Sequence, residues 1–70
     1  MKNQFSTILG SQKKTMTDVF NATKISRNTL HNLYYEKTAN PDSKTVITIC
    51  EYLGVTPDQF FGYKSLEKED

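Results

Sequence analysis

Apolar residues recur along this chain at helical spacing, in short runs bounded by polar residues that commonly begin or end helices. In the first run Phe5, Ile8 and Leu9 fall on one face, and in the fourth Val46, Ile49, Cys50 and Leu53 do. The pattern predicts five helices and no strands, over about residues 3–13, 15–24, 27–36, 42–53 and 57–61. The predicted fold class is all-α, a compact bundle of about five short helices.

The residues at the ends of these runs support the boundaries. Thr15 and Asp18 form a capping-box-like pair at the start of the second helix, and Ser26 is a good N-cap for the third. Gly54 is well placed to end the fourth helix in the left-handed conformation. Thr56-Pro57-Asp58 then restarts the chain with an N-cap, a first-position proline and an acidic first turn.

The segment from Thr15 to Tyr35 is the most informative part of the chain. It predicts two short amphipathic helices joined by a very tight turn, which is a helix-turn-helix. Leu30, Leu33 and Tyr34 mark the inner face of the second of these helices. The opposite face is a continuous polar strip, which leaves that helix free to enter the major groove of DNA. The strip comprises Arg27, Asn28, His31, Asn32 and Tyr35.

Composition limits the remaining choices. Seventy residues predict one domain, residues 1–63, followed by a polar C-terminal tail, residues 64–70. One cysteine allows no intrachain disulfide, and neither a signal peptide nor a membrane-length apolar run is evident. We therefore expect a cytoplasmic protein.

The net charge of +1 conceals an asymmetry along the chain. Residues 1–50 carry a balance of +4 and residues 51–70 a balance of −3. A basic front and an acidic end suit a DNA-binding protein whose C-terminal end faces away from phosphate. Chance scatter of charges in a small chain is the alternative explanation.

Two motifs carry a resemblance to a known family. Val19 to Leu30, V-F-N-A-T-K-I-S-R-N-T-L, lines up with L-A-x-x-T-G-I-S-R-x-T-L. Thr45 to Phe61, T-V-I-T-I-C-E-Y-L-G-V-T-P-D-Q-F-F, lines up with T-L-x-x-I-A-x-x-L-x-V-S-x-x-x-L-F. Over about residues 3–62 the chain resembles the lambda-repressor-like (Cro/repressor-type) helix-turn-helix family of phage and bacterial transcription regulators. The resemblance implies a helical DNA-binding domain in the cytoplasm of a bacterial cell, and it leaves open whether a phage, a mobile element or the chromosome encodes it.

Three residues depart from the family pattern. Phe20 stands where alanine is usual, so its ring must point into the core or push the two motif helices apart. Lys24 stands where glycine usually takes the left-handed turn, which predicts a non-glycine residue at positive φ. Met16 replaces a glutamine that often braces the recognition helix against phosphate.

The resemblance also implies which residues contact bases, and positions at helix starts and in the loop before the fourth helix indicate which contact phosphate. Base contacts are predicted for Arg27, Asn28, His31 and Asn32. Arginine can reach guanine O6 and N7 in a fork, and asparagine can pair with adenine. An ordinary solvated helix face is the alternative, although two asparagines on an exposed face favour another purpose because asparagine is a poor helix former. Phosphate contacts are predicted for Thr17, Lys24, Ser26, Tyr35, Lys37, Asn40, Ser43 and Lys44.

Other chemistry finds little support in the sequence. The carboxylates are scattered, so we expect no enzyme, and neither a cofactor nor a small-molecule ligand. Cys50 lies on the apolar stripe of the fourth helix and is expected to pack in the core. One cysteine and one histidine on different helices cannot form a zinc site.

An aromatic-rich cluster near the C-terminus is the candidate for a dimer or partner contact. It comprises Phe60, Phe61, Tyr63 and Leu66, and one of the two phenylalanines is expected to close the core. The surplus aromatic side chains could then form a two-fold contact, since paired DNA half-sites require a dimer.

Three functional hypotheses follow from these features. The first is a sequence-specific, Cro-like transcription regulator of the phage lysis–lysogeny kind, bound to a double-stranded DNA operator, as a homodimer if the aromatic cluster self-associates. The second is an antirepressor or modulator that binds a partner repressor on the same scaffold, which the near-neutral charge favours. The third, the DNA-binding half of a toxin–antitoxin pair, is disfavoured because the polar tail is too short to wrap a toxin.

Overall fold

Five short helices make up the part of the chain that the computed structural model describes, residues 2–65. They are α1 (Phe5–Gln12), α2 (Met16–Thr23), α3 (Arg27–Tyr34), α4 (Ser43–Leu53) and α5 (Pro57–Phe60). These residues contain no strand, so the predicted all-α class is confirmed. The helices are one to two residues shorter at several ends than the pattern predicted. Leu66–Asp70, most of the predicted tail, lie outside the described residues.

Reciprocal capping boxes begin two of the helices and provide partners for amide groups that have none within the helix. At α2 the Thr15 hydroxyl accepts a hydrogen bond from the Asp18 amide (3.2 Å), and Asp18 Oδ2 accepts one from the Thr15 amide (2.9 Å). Thr56 and Gln59 form the equivalent box at α5. The predicted Thr15–Asp18 pair is therefore confirmed, whereas the reciprocal role of Gln59 was not predicted.

Left-handed residues end helices at three non-glycine positions as well as at Gly54. Lys13, Lys24 and Glu36 have φ of 55°, 61° and 59°. The conformation predicted for Lys24 is therefore confirmed, and the amide of Lys24 donates to the Phe20 carbonyl (2.8 Å). Glu36 explains why α3 is shorter than predicted, since a left-handed residue cannot continue a right-handed helix. Each such residue costs about 1 kcal/mol or more of backbone strain.

The core draws on every helix. α2 packs against α3 and α4, α1 packs against α3, and α5 packs against α4. The ring of Phe5 lies 6.0 Å from that of Phe60 and 6.3 Å from that of Tyr34, centroid to centroid, and so joins α1, α3 and α5. The buried apolar residues are Phe5, Ile8, Leu9, Val19, Leu30, Leu33, Val46, Ile49, Cys50, Leu53 and Phe60.

A buried polar residue, Asn3, fixes the last turn of α3 against the N-terminal segment. Its Nδ2 donates to the Leu33 carbonyl (3.0 Å), while its Oδ1 accepts from the Phe5 amide (2.9 Å). Buried polar groups stabilise a fold only when they are paired in this way. Asn3 thereby holds α3 near its C-terminal end, while Arg27 and Asn28 at its N-terminal end stay exposed.

No helix among residues 2–65 combines the length and the apolar content that a membrane span requires.

Candidate nucleic-acid interface

The turn between α2 and α3 is only three residues long, from Lys24 to Ser26. Lys24 reverses the chain through its left-handed conformation, and the half-buried Ile25 packs against the core. Ser26 then caps α3, its hydroxyl accepting from the Thr29 amide (3.2 Å). A turn this short holds two packed helices in a fixed relation, which is the geometry of a helix-turn-helix.

The two faces of α3 differ as the sequence predicted. Leu30 and Leu33 are 0% and 1% exposed and anchor the helix in the core. Arg27, Asn28 and His31 are exposed on the other side. Because the buried leucines prevent rotation of the helix, this polar face is presented to solvent in a defined direction.

An open depression lies between α2 and α3, and its lining brings several predicted contact residues together. Met16 and Thr17 come from the first turn of α2, and Arg27, Asn28 and His31 come from α3. Thr17, a predicted phosphate contact, therefore lies beside three of the four predicted base contacts. The lining carries no carboxylate, so it offers hydrogen-bond donors without a negative charge that would repel phosphate.

Asn32, the fourth predicted base contact, lies beside this depression and not in its lining. Its side chain is half-buried, and its carbonyl accepts a hydrogen bond from the Lys37 amide (2.7 Å). Among the four residues it is the least accessible to a base edge.

Aromatic and basic side chains continue the exposed face toward the end of α3. The rings of His31 and Tyr35 lie 4.6 Å apart, and Tyr35 is 54% exposed. Lys37 Nζ lies 5.9 Å from the centroid of the Tyr35 ring, within range of a cation–π contact. One predicted phosphate contact, Tyr35, thus adjoins the predicted base contact His31, and a second, Lys37, adjoins Tyr35.

The remaining predicted phosphate contacts lie outside the lining of the depression. Lys24 and Ser26 are exposed in the turn, although the Ser26 hydroxyl already donates to Thr29 Oγ1 (2.9 Å). Asn40 is exposed in the loop before α4, and Ser43 and Lys44 are the exposed first two residues of α4.

Phe20 is the residue of this region whose role the sequence did not reveal. Its ring is half-buried and packs against the core. Arg27 Cζ lies 5.1 Å from the ring centroid and Lys24 Nζ lies 5.9 Å from it. The only signal in the sequence was the departure from alanine at this position, seven residues before an arginine.

The C-terminal aromatic cluster divides into core and surface. Phe60 is 0% exposed, so it is the phenylalanine that closes the core, and its side chain offers no surface to a partner in the folded chain. Phe61 is half-buried and Tyr63 is 80% exposed. Leu66 lies outside the described residues.

Cys50 is buried, at 3% exposure, within the apolar stripe of α4. Burial raises the pKa of its thiol above the ordinary value because the charged thiolate loses solvation. A neutral, enclosed thiol suits packing and is poorly suited to nucleophilic chemistry. Among residues 2–65 no three side chains of the His, Cys, Asp or Glu types are grouped to hold a metal ion.

Comparison with known families gives a match over most of the chain. A family model described as the Cro/C1-type HTH DNA-binding domain matches residues 5–65. Comparisons with curated proteins and with solved structures gave no significant match. The matched region contains all five helices, and the match supports a DNA-binding transcription regulator. The chain belongs to the Cro/C1-type HTH DNA-binding domain family.

Proposed function

We propose that this protein is a sequence-specific transcription regulator of the Cro-like kind, acting in a phage lysis–lysogeny type of switch in the bacterial cytoplasm. It would place α3 in the major groove of an operator and thereby block or guide RNA polymerase. The observation that carries the proposal is the grouping of exposed Arg27, Asn28 and His31 around one depression beside α2. An exposed helix face with these donors and acceptors matches the pattern of base edges in that groove.

Phosphate contacts on either side of α3 would set the depth and register of the helix. Thr17 lines the depression from α2, the Tyr35 ring lies 4.6 Å from that of His31, and Lys37 Nζ lies 5.9 Å from the Tyr35 ring. The charge balance of +4 over residues 1–50 attracts the duplex to this part of the chain. Such contacts position a protein without carrying sequence information.

Lys37→Ala is expected to weaken binding to all duplexes about equally, because it removes a phosphate contact and no base contact. The probes are a duplex selected by the wild-type protein from a randomised library and a scrambled duplex of the same length. The plot of log affinity against log salt should become shallower by about one unit of slope for both. Lys64→Ala, which removes the same charge after α5, should leave the slope unchanged. A change in sequence preference with an unchanged slope would contradict the phosphate role of Lys37.

We further propose that the protein binds its operator as a homodimer. An apolar groove lies between α4, α5 and the loop before α4, lined by Pro41, Ser43, Val46, Ile47, Pro57 and Phe61. Ile47 is 48% exposed, which leaves much of a large apolar side chain in water. A two-fold contact between copies would place two α3 helices on neighbouring turns of the major groove.

Ile47→Glu is expected to abolish self-association, because it places a charge in the apolar lining of the proposed contact. Sedimentation velocity with and without a palindromic selected duplex measures the change. Thr48→Glu adds the same charge to the next position of α4, outside the groove lining, and should leave association intact. If Ile47→Glu and wild type occupy paired half-sites with equal cooperativity, this groove is not the dimer contact.

The second candidate function is an antirepressor that binds a partner repressor protein through the same groove. The near-neutral net charge of +1 favours it, since non-specific attraction to DNA grows with positive charge. A mobility shift with the protein alone, beside one with its native repressor added, separates the two functions. A stable complex with repressor and no shift by the protein alone would favour the antirepressor.

A further inference from the structure

We infer that Phe20 is a positioning residue for base readout: its ring holds the Arg27 guanidinium so that the N–H edge of that group faces the DNA. This inference rests on the proposed function, because it assumes that Arg27 reads a base. It deepens that proposal by assigning part of the specificity to a residue of α2 that does not itself need to touch DNA.

The contact across the turn is direct. The Arg27 Cζ atom lies 5.1 Å from the centroid of the Phe20 ring, inside the distance at which a cation is attracted to an aromatic face. Lys24 Nζ lies 5.9 Å from the same centroid. One ring therefore draws together a predicted base-reading cation and a predicted phosphate-binding cation.

Burial makes the ring a stable support. Phe20 is half-buried and packs against the core, so part of its surface is fixed while part remains available. Arg27 is exposed and is the first residue of α3. An exposed arginine side chain otherwise samples many rotamers, and ordering it on binding costs conformational entropy. Contact with the ring reduces that cost before DNA arrives.

The contact with Phe20 does not compete with base recognition. A guanidinium is planar and interacts with an aromatic ring through its face, whereas its hydrogen bonds lie in its plane along the N–H edge. The guanidinium can therefore keep the ring contact while its edge donates to guanine O6 and N7. An aliphatic residue of similar size could fill the same space against the core but would offer no attraction to either cation.

The contact itself is tested without DNA. In the free protein the Phe20 ring current should shift the Arg27 Hδ and Nε–H resonances, and Phe20→Leu should move them toward their random-coil positions. Phe20→Tyr should retain the shift, because it keeps an aromatic face. Resonances of Arg27 that are identical in wild type and Phe20→Leu would overturn the inference, whatever the protein does with DNA.

The functional part is tested by the ratio of affinities for the selected and scrambled duplexes. Phe20→Leu should lower this ratio about twofold to fivefold, the range expected for an exposed cation–π contact. Phe20→Tyr should keep the wild-type ratio, because it retains an aromatic ring. In an Arg27→Ala background, adding Phe20→Leu should leave the ratio unchanged. If Phe20→Leu also disturbed a phosphate contact of Lys24, binding to both duplexes would weaken alike. That loss would cancel in the ratio of affinities.

A matched control removes a second contact of the same type. Lys14 Nζ lies 4.5 Å from the centroid of the ring of Tyr52, a half-buried residue of α4. Tyr52→Leu therefore deletes a cation–π partner of Lys14 and leaves the contact between Phe20 and Arg27 in place. This variant should leave the affinity ratio unchanged.

Phe20→Met supplies a second apolar replacement if circular dichroism shows that Phe20→Leu is poorly folded.

The outcomes separate this inference from the proposed function. Equal losses from Phe20→Leu in the wild-type and Arg27→Ala backgrounds would show a purely structural role and overturn it. An unchanged ratio in Phe20→Leu, with a clear loss in Arg27→Ala, would overturn it and leave the proposed function standing. A wild-type protein that selects no sequence would overturn both.

Discussion

Phe60→Ala is expected to lower the free energy of unfolding by about 3–5 kcal/mol, the usual range for a buried phenylalanine truncated to alanine. Phe60 is fully buried, its ring packs 6.0 Å from that of Phe5, and its carbonyl accepts from the Gln4 amide (2.7 Å). The substitution would leave a cavity beside Phe5 and remove the packing of α5 against α1. Phe5, whose ring also packs against Tyr34 of α3, would lose part of its support. A domain of this size has only about 3–5 kcal/mol of core stability, so much of the variant should be unfolded at 25 °C.

Urea unfolding followed by far-ultraviolet circular dichroism measures this change. Tyr63→Ala, which truncates a side chain that is 80% exposed, should alter the free energy of unfolding by less than about 0.5 kcal/mol. If Phe60→Ala remained as stable as wild type and lost only self-association, Phe60 would be a contact residue after all. The burial of its ring argues for the opposite result.

Arg27→Ala is expected to weaken binding to the selected duplex by about 5- to 150-fold, which corresponds to ~1–3 kcal/mol. Arg27 is exposed, lines the depression and contacts the Phe20 ring. Its bidentate match to guanine would make the loss specific to one base pair, and the preference at that position should relax. Competition assays with single-base variants of the selected duplex measure both effects.

Arg27→Lys is the matched control for charge. It retains the positive charge near phosphate but lacks the planar fork, so affinity for the scrambled duplex should persist while discrimination falls. Arg27→Ala should bind both duplexes more weakly, with the larger loss on the selected one. Equal discrimination in wild type and Arg27→Ala would contradict base readout by Arg27, while any remaining preference would then be assigned to Asn28 and His31.

Helical periodicity and local capping explain why the five helices could be predicted from the sequence. Thr15 and Asp18 bond to each other's amides as neighbours in the chain, so no distant residue is needed to form that cap. The left-handed conformation of Lys24 followed from its position at a tight turn in a motif where glycine is usual. The early end of α3 was missed, because no local signal marks Glu36 as a left-handed residue.

Long-range contacts were beyond the reach of the same reasoning. Asn3 is polar and precedes the first helix, so nothing in the pattern indicated that its side chain is buried against Leu33, 30 residues away. Likewise, the pattern left open which of Phe60 and Phe61 would close the core. Their rings pack at 5.1 Å, but only the position of α5 against Phe5 makes Phe60 the buried one.

By itself the sequence determined the helices, their caps and the polar strip from Arg27 to Asn32, because those features depend on neighbours in the chain and on helical periodicity. Only the tertiary structure decided that Arg27, Asn28 and His31 line one depression together with Thr17, and that Asn32 lies beside it. It also decided that Phe20 lies under Arg27. These relations depend on the packing angle between α2 and α3, which buried side chains from all five helices set together and no short segment encodes.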